Sequence, residues 1–494
     1  AGTTGIRALA IDENASVLCG SYRELTQHFP APGLVEHDAY EIWSLVESVL
    51  VELAAQLRDL GEAVAAIGLA NQRESALAWD LRSGTPFGRC ICWQDRRTAG
   101  RCEDLVNGGH LPEVRARTGL VLDSYFSATK WEWMLTKGGL EVSSRLALGT
   151  VDDYLLWRLT GGPANGLHAT DPSNASRTLC YDIHKMCWSD ELCALFGVPI
   201  AALGEVRGSC GHFGTVDESV AGGAFSGVEI GGIAGDQQAA LFGQCCHEAG
   251  SVKVTYGTGS FVLMNCGHEA PPPKEGLLST VAWQIEDEVV YALEGAVFVS
   301  GAALQWLRDG LGIIKTAAEA GPLAESATSN DGLYFVPALT GAGSPWWDPA
   351  ARGLLIGISK GTGRAEVVRA AVEAMAYQTR DVLSAMTAAS GHSPSLLRAD
   401  GGAAAMDLLL QMQADQCRVR VARPATTEVT ALGAAFLAGI AVGFWSSPAE
   451  LAPLVAPQAV FEPKPSSARA DAEYALWLRA LDRALGWERP GDPR

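Results

Sequence analysis

A chain of 494 residues with 48% hydrophobic and 19% charged side chains is long enough for two or three domains with cores of their own and is neither disordered nor fibrous in composition. Its 56 acidic residues against 37 basic ones leave a formal net charge of −19. That charge repels phosphate backbones and anionic headgroups, and no cluster of Lys and Arg offsets it, so nucleic acid and membrane surfaces are excluded as partners.

The opening residues lack a basic start followed by an apolar block, so no signal peptide is expected. Gly2 to Asp12 reads as a glycine turn running into a strand, with Ile6, Ala8 and Ala10 on one face. A helical stretch over 38–60 precedes a short apolar strand, Ala65 to Ala70. Cys90-Ile-Cys92 reads as a strand with both thiols on one face. With Cys245-Cys246 it is the closest cysteine set, and neither set has zinc-site spacing. The twelve cysteines are therefore expected to be free and buried, as suits a reducing, cytoplasmic setting.

Gly232 to Gly235 is a further short strand, continuing into a helix from Asp236 to Gly243. Two β-rich runs then flank Gly257-Thr258-Gly259, which with Gly2-Thr3-Thr4 makes a pair of Gly-Thr hairpins and suggests two related halves meeting near 244–250. Leu397 to Gly402 is a strand turning directly into a helix from Ala403 to Gln416. Val429 to Ala449 is uncharged and borderline for spanning ~30 Å of hydrocarbon. Its many small residues favour a buried core helix, so no membrane insertion is expected. Strands alternating with helices indicate an α/β architecture with helix-covered sheets.

The chemistry-bearing residues each have a plain structural alternative. The two Gly-Thr turns can aim amides and hydroxyls at phosphate oxygens, as can Gly401-Gly402 at a helix start. Most such turns are only structural. Asp236 stands where a strand becomes a helix, a place for a catalytic carboxylate or an N-cap. Arg73 and Glu74 follow a strand in the same way and could donate to and accept from neighbouring hydroxyls, or form a solvated ion pair.

Together these segments resemble the FGGY carbohydrate kinase family, and within it the glycerol kinases, from Gly2 to about Trp445. The likeness is carried by Asn71-Gln-Arg-Glu74, Trp93-Gln-Asp-Arg-Arg-Thr98, Ser124 to Lys130, Thr170 to Arg177, Gly232 to Gln244, Tyr256-Gly-Thr-Gly259, Ala292 to Phe298, Ala303 to Asp309, Gly341 to Pro349 and Gly353 to Arg380. The resemblance implies two RNase H-like domains of the actin and hexokinase type, 1–246 and 247–494, with glycerol and ATP in the cleft, Mg²⁺ as cofactor, and a homo-oligomer, dimer or tetramer. It implies Asp236 as general base, with Arg73, Glu74, Tyr125, Asp236 and Gln237 on the polyol hydroxyls and Trp93 and Phe261 as an apolar wall. Thr3, Thr4, Arg7, Thr258, Gly301, Gln305, Gly402 and the position of Met406 would surround the nucleotide. Gln-Arg-Glu at 72–74 separates glycerol kinases from pentulose kinases.

Departures from the pattern bear on activity. The family's Mg²⁺-site Asp lies two residues before Gly2 and so would precede Ala1, which leaves the metal ligand unassigned. A polypeptide opening at Ala1 is expected to be less stable and poorly active. Met406 replaces an Asn near the nucleotide, and Gly5 replaces a phosphate-contacting Ser. Ser219 to Ser226 lacks the Arg and the His by which some relatives are regulated, so neither control is expected. The alternatives are a kinase for another small polyol or ketose, or a nucleotide-binding relative of impaired activity.

Overall fold

The computed structural model describes residues 1–464 and 467–488; the last residues of the 247–494 half, 489–494, lie outside the described residues. The chain opens with β1 (Gly5–Ile11) and β2 (Val17–Glu24), an antiparallel hairpin in which Gly5 faces Glu24 and Ala10 faces Cys19. Helix α1 (Ala39–Leu60) covers them. It starts where the Asp38 side chain accepts the amides of Tyr40 and Glu41, and it stops at Gly61 in the left-handed conformation, φ 75°. Its apolar stripe, Ile42, Val46, Val49, Leu53 and Leu57, recurs at helical spacing and is buried against the hairpin. Truncating one of these leucines to Ala would cost about 3 kcal/mol.

Two parallel strands form the floor of the N-terminal half: β3 (Ala66–Asn71) and β4 (Glu229–Gly235), in register so that Asn71 pairs with Gly235. Both strands therefore end at the same level. Ala1 joins the same level, its amine donating to the Ala70 carbonyl at 2.6 Å while its own carbonyl accepts the Gln72 amide at 2.7 Å. Between β3 and β4 in sequence lie α2 (Ser127–Thr136) and the short α3 (Pro172–Ala175). Helix α4 (Asp236–Gly243) leaves β4 directly.

The C-terminal half is built on β5 (Val252–Tyr256), β6 (Ser260–Gly267), β7 (Leu278–Ile285), β8 (Glu288–Val297), helix α5 (Gly301–Asp309), the long α6 (Arg364–Ser390), β9 (Leu396–Asp400), helix α7 (Asp407–Cys417), β10 (Arg420–Pro424), helix α8 (Val429–Ala441) and β11 (Pro457–Phe461). The strands lie in one mixed sheet in the order β7-β8-β6-β5-β9-β10-β11. The pairs β5–β9 and β9–β10 are parallel and the rest antiparallel. The architecture is α/β as the sequence pattern indicates.

Helix α8 belongs to the C-terminal half in sequence but packs on α4, β3 and β4 of the N-terminal half. A Cβ on Gly433 would stand 1.8 Å from the Ala239 carbonyl oxygen, so only glycine lets α8 and α4 cross this closely. The uncharged run that continues to Ala449 is longer than the helix, which ends at Ala441. Gly443, at φ 72°, turns the chain, and Trp445 folds back edge-on against Phe436 at 5.2 Å. Among the described residues no helix is long and apolar enough to cross a membrane.

Three further expectations are corrected. Helix α7 starts at Asp407 and not at Ala403, because Gly402–Ala405 forms a tight 3₁₀ turn first. The Gly2–Thr4 segment is a turn closed by the Gly2 amide on the Gly5 carbonyl, whereas Gly257–Gly259 is a true hairpin tip between β5 and β6. All twelve cysteines are free, but Cys187 is exposed and Cys19, Cys210 and Cys417 are half-buried.

Candidate active site

Where β3 and β4 end together, their next residues meet. Past Asn71 the chain runs through Gln72, Arg73 and Glu74, and past Gly235 it enters α4 at Asp236. The N-cap of α4 is Gly235, so Asp236 is not there to cap the helix. Its Oδ1 accepts the Gln237 amide at 2.7 Å and faces Arg73 Nε at 3.1 Å. Oδ2 has no hydrogen-bond partner among the described residues. The Asp236 side chain is 36% exposed and that of Arg73 2%, so the carboxylate opens to the cleft from an anchored base.

Arg73 and Glu74 are buried and not a solvated pair: both side chains are 2% exposed, with 3.8 Å between Arg73 Nε and Glu74 Oε1. Arg73 also donates to Glu294 at 2.5 Å, to Gln238 Oε1 at 3.3 Å and to the Tyr125 hydroxyl at 3.4 Å. Glu74 sits at φ 61°, the left-handed region that costs a non-glycine residue about 1 kcal/mol or more. The conformation is held from below. The Lys130 ammonium on α2, itself buried, donates to the carbonyls of Glu74 (3.3 Å), Tyr125 (2.6 Å) and Phe126 (3.2 Å). Burial lowers its pKa to about 8, with Glu74 pulling the other way.

Asn71 is fixed at the head of β3 by donating to Asp152 and Asn174, both at 3.0 Å. Tyr125 meets the edge of Trp93, with 5.7 Å between ring centroids. Trp93 Nε1 in turn donates to Thr3 Oγ1 at 2.9 Å, tying the aromatic wall to the first Gly-Thr turn. Gln237 accepts from the ammonium of Lys253, which rises from β5 and also donates to Thr255 Oγ1 at 2.9 Å. Phe261, half-buried on β6 between Thr255 and Ala296, shares an apolar cluster with Ala70 and Ala234, the residues just before the two strand ends.

The structure thus brings Arg73, Glu74, Tyr125, Trp93, Asp236, Gln237 and Thr3 together in one chain of contacts. The remaining nucleotide-side candidates form a second, more exposed set. The amides of Ser300, Gly301 and Ala302, at the start of α5, are taken by the carbonyls of Gly257 and Thr258 at 2.9–3.0 Å. The hairpin tip therefore caps α5, leaving Thr258 and Gln305 exposed beside it. Gly402 is exposed at its turn, while Met406 is half-buried against the core as the N-cap of α7. Thr4 is exposed, and Arg7 is ion-paired with Glu428 and lies over the Tyr22 ring at 5.0 Å. Gly5 has a local reason to be glycine: a Cβ there would stand 2.4 Å from the Tyr22 ring.

Lys130, Arg177, Lys253 and Glu294 received no role from the sequence. Arg177 Nε donates to Glu74 at 2.6 Å and its Nη2 to Glu294 at 2.8 Å. Burial would raise the Glu294 carboxyl, but Arg177 and Arg73 outweigh it and hold it at about 2. Burial pushes the Glu74 carboxyl up, against the same two guanidiniums. A signal did exist: Lys253 and Glu294 interrupt otherwise apolar strands, where a charge is tolerated only when paired.

Residues 1–243 match the N-terminal domain of the FGGY family of carbohydrate kinases, and residues 252–442 match its C-terminal domain. The chain is 50% identical over 493 residues to the glycerol kinase of Dechloromonas aromatica, covering 98% of this chain and 96% of that protein. It is 48% identical over 491 residues to the glycerol kinase of Carboxydothermus hydrogenoformans, covering 99% and 97%. The crystal structure of Plasmodium falciparum glycerol kinase with ADP superposes with a TM-score of 0.92 at 29% identity, over 98% of this chain and 97% of that one. With both halves matched in order, and with the two-domain α/β fold shared, the chain belongs to the FGGY family of carbohydrate kinases.

Proposed function

We propose that the protein transfers the γ-phosphoryl group of ATP to a terminal hydroxyl of glycerol, giving sn-glycerol 3-phosphate and ADP. The observation that carries this reading is the convergence of Asp236, Arg73 and Glu74 at the paired ends of β3 and β4. Glu74 accepts one glycerol hydroxyl, and Arg73 and Gln237 donate to the others, while Trp93 and Phe261 face the carbon chain and Tyr125 closes the side. Asp236 Oδ2 takes the proton of the attacking hydroxyl as the new O–P bond forms and the bond to the β-phosphate oxygen breaks. The anchored Oδ1 keeps the carboxylate from turning away. The identity to glycerol kinases across nearly the whole chain supports glycerol over other polyols or ketoses.

Residues 1–246 supply the polyol half and 247–494 the nucleotide half. Thr3, Thr4, Thr258, Gly301, Gln305, Gly402 and Met406 surround the nucleotide, and Arg7 reaches a phosphate by releasing Glu428. Among the described residues no group of three or more metal-ligating side chains stands together. Mg²⁺ would enter with the ATP phosphates, since it commonly takes one or two carboxylates plus substrate oxygens and water. The ion would neutralise charge on the ATP phosphates. Free thiols suit a cytoplasmic protein.

The test is glycerol-dependent ADP release in a coupled assay, run beside erythritol and xylulose at equal concentration. Glycerol should give the highest kcat/KM, with sn-glycerol 3-phosphate as product. Faster turnover of another polyol or ketose would reassign the substrate, and none with any of them would leave a nucleotide-binding protein without this activity.

A further inference from the structure

Two of the charges behind the polyol site have no part in the chemistry just described. Arg177 follows α3, and Glu294 comes from β8 in the other half of the chain; both side chains are 0% exposed. With Arg73 and Glu74 they form a closed ring of alternating sign. Arg177 bridges Glu74 at 2.6 Å and Glu294 at 2.8 Å, Glu294 holds Arg73 at 2.5 Å, and Arg73 returns to Glu74 at 3.8 Å. The ring is neutral, so burial is tolerated, but removing one member leaves an uncompensated buried charge. The Arg177 guanidinium is further fixed over the rings of Tyr125 and Phe126, at 5.6 and 5.2 Å.

Resting on the glycerol reading above, we propose that Arg177 and Glu294 are positioning residues for polyol recognition. Arg177 holds the Glu74 carboxylate to accept a hydroxyl, and Glu294 holds Arg73 so that its Nε faces Asp236. Because Glu294 arrives on β8, the polyol pair is set in place only where that strand lies against the Gln72–Glu74 turn. The charged and titratable groups facing Glu74 are Arg73, Arg177, Glu294, Tyr125 and Lys130.

The test compares wild type, R177M, R177K and E294Q, with KM for glycerol and for ATP measured separately and kcat/KM followed against pH. R177M is expected to raise glycerol KM by about 30-fold and ATP KM by less than about threefold. It should also move the acid limb of the glycerol kcat/KM profile to higher pH, because Glu74 loses its nearest cation. R177K, which keeps the charge but not the two-pronged bridge, should return the acid limb while glycerol KM stays about tenfold raised. E294Q should raise glycerol KM by about tenfold and spare ATP. If R177M does not fold, the same split in R177K carries the proposal. Unchanged glycerol KM, or glycerol and ATP KM rising together with an unmoved pH profile, would overturn it. A wild-type protein inert toward glycerol would overturn the underlying reading and this inference with it.

Discussion

Replacing Asp236 by Asn tests the reaction at its centre with the least structural disturbance. Asn keeps an oxygen where Oδ1 accepts the Gln237 amide at 2.7 Å and faces Arg73 at 3.1 Å, so the side chain stays in place. At the other prong an amide NH₂, a donor, replaces the oxygen that must accept the hydroxyl proton. The side chain is 36% exposed, so the fold should barely register the change. General-base assistance is worth about 10²- to 10⁴-fold in rate, or about 3–5 kcal/mol of barrier. D236N should therefore lower kcat by about a thousandfold in the coupled ADP-release assay. Glycerol KM should stay within about threefold, and the melting curve should superpose on that of wild type. D236A should lose as much kcat and in addition raise glycerol KM, because Arg73 loses one of its three carboxylate neighbours. If D236N retained a tenth of wild-type kcat or more, Asp236 would not be the base.

Lys130→Met should unfold at lower urea by about 3 kcal/mol, since three carbonyls lose one shared donor, and should raise glycerol KM as Glu74 relaxes from φ 61°. Glu294 is held at about 2, below its ordinary 4.5. Its contribution is therefore present above pH about 4.5 and lost as pH falls toward 2, by up to about 3 kcal/mol. Urea midpoints from pH 6 down to pH 3 should fall more steeply for wild type than for E294Q; parallel curves would refute this. Gly433→Ala should cost about 3 kcal/mol in urea unfolding, because its Cβ meets the backbone carbonyl of Ala239 at 1.8 Å and a helix, not a side chain, must move. An unchanged midpoint would refute the close α4–α8 crossing.

What was legible in the sequence is what local rules govern. The start of α1 could be read because Asp38 and the apolar spacing after it act within a few residues of each other. The strand-to-helix turn at Gly235–Asp236 was equally local. Local rules also mislead: the apolar run to Ala449 reads as one helix, yet Gly443 turns it back so that Trp445 can cover Phe436. Likewise 403–416 has helical composition, but the 3₁₀ turn at Gly402–Ala405 delays the helix to Asp407.

The site was half legible for the same reason. Arg73, Glu74 and Asp236 stand where β3 and β4 end, a placement that follows from topology. Arg177 and Glu294 are 117 residues apart and on different halves, and nothing local states that they meet. Glu294 alone looks like an error, a full charge inside an apolar run of β8, whereas Arg177 stands in a polar run after α3 and gives no such sign. A buried charge is retained only with a partner, so Glu294 already implies a buried cation in contact with it. With Arg73 and Glu74 added, the signs balance, and the ring joins residues from both halves beside Asp236. On that argument the places where local rules fail are the places to look for the site, and the Arg177 and Glu294 variants decide whether the rule holds here.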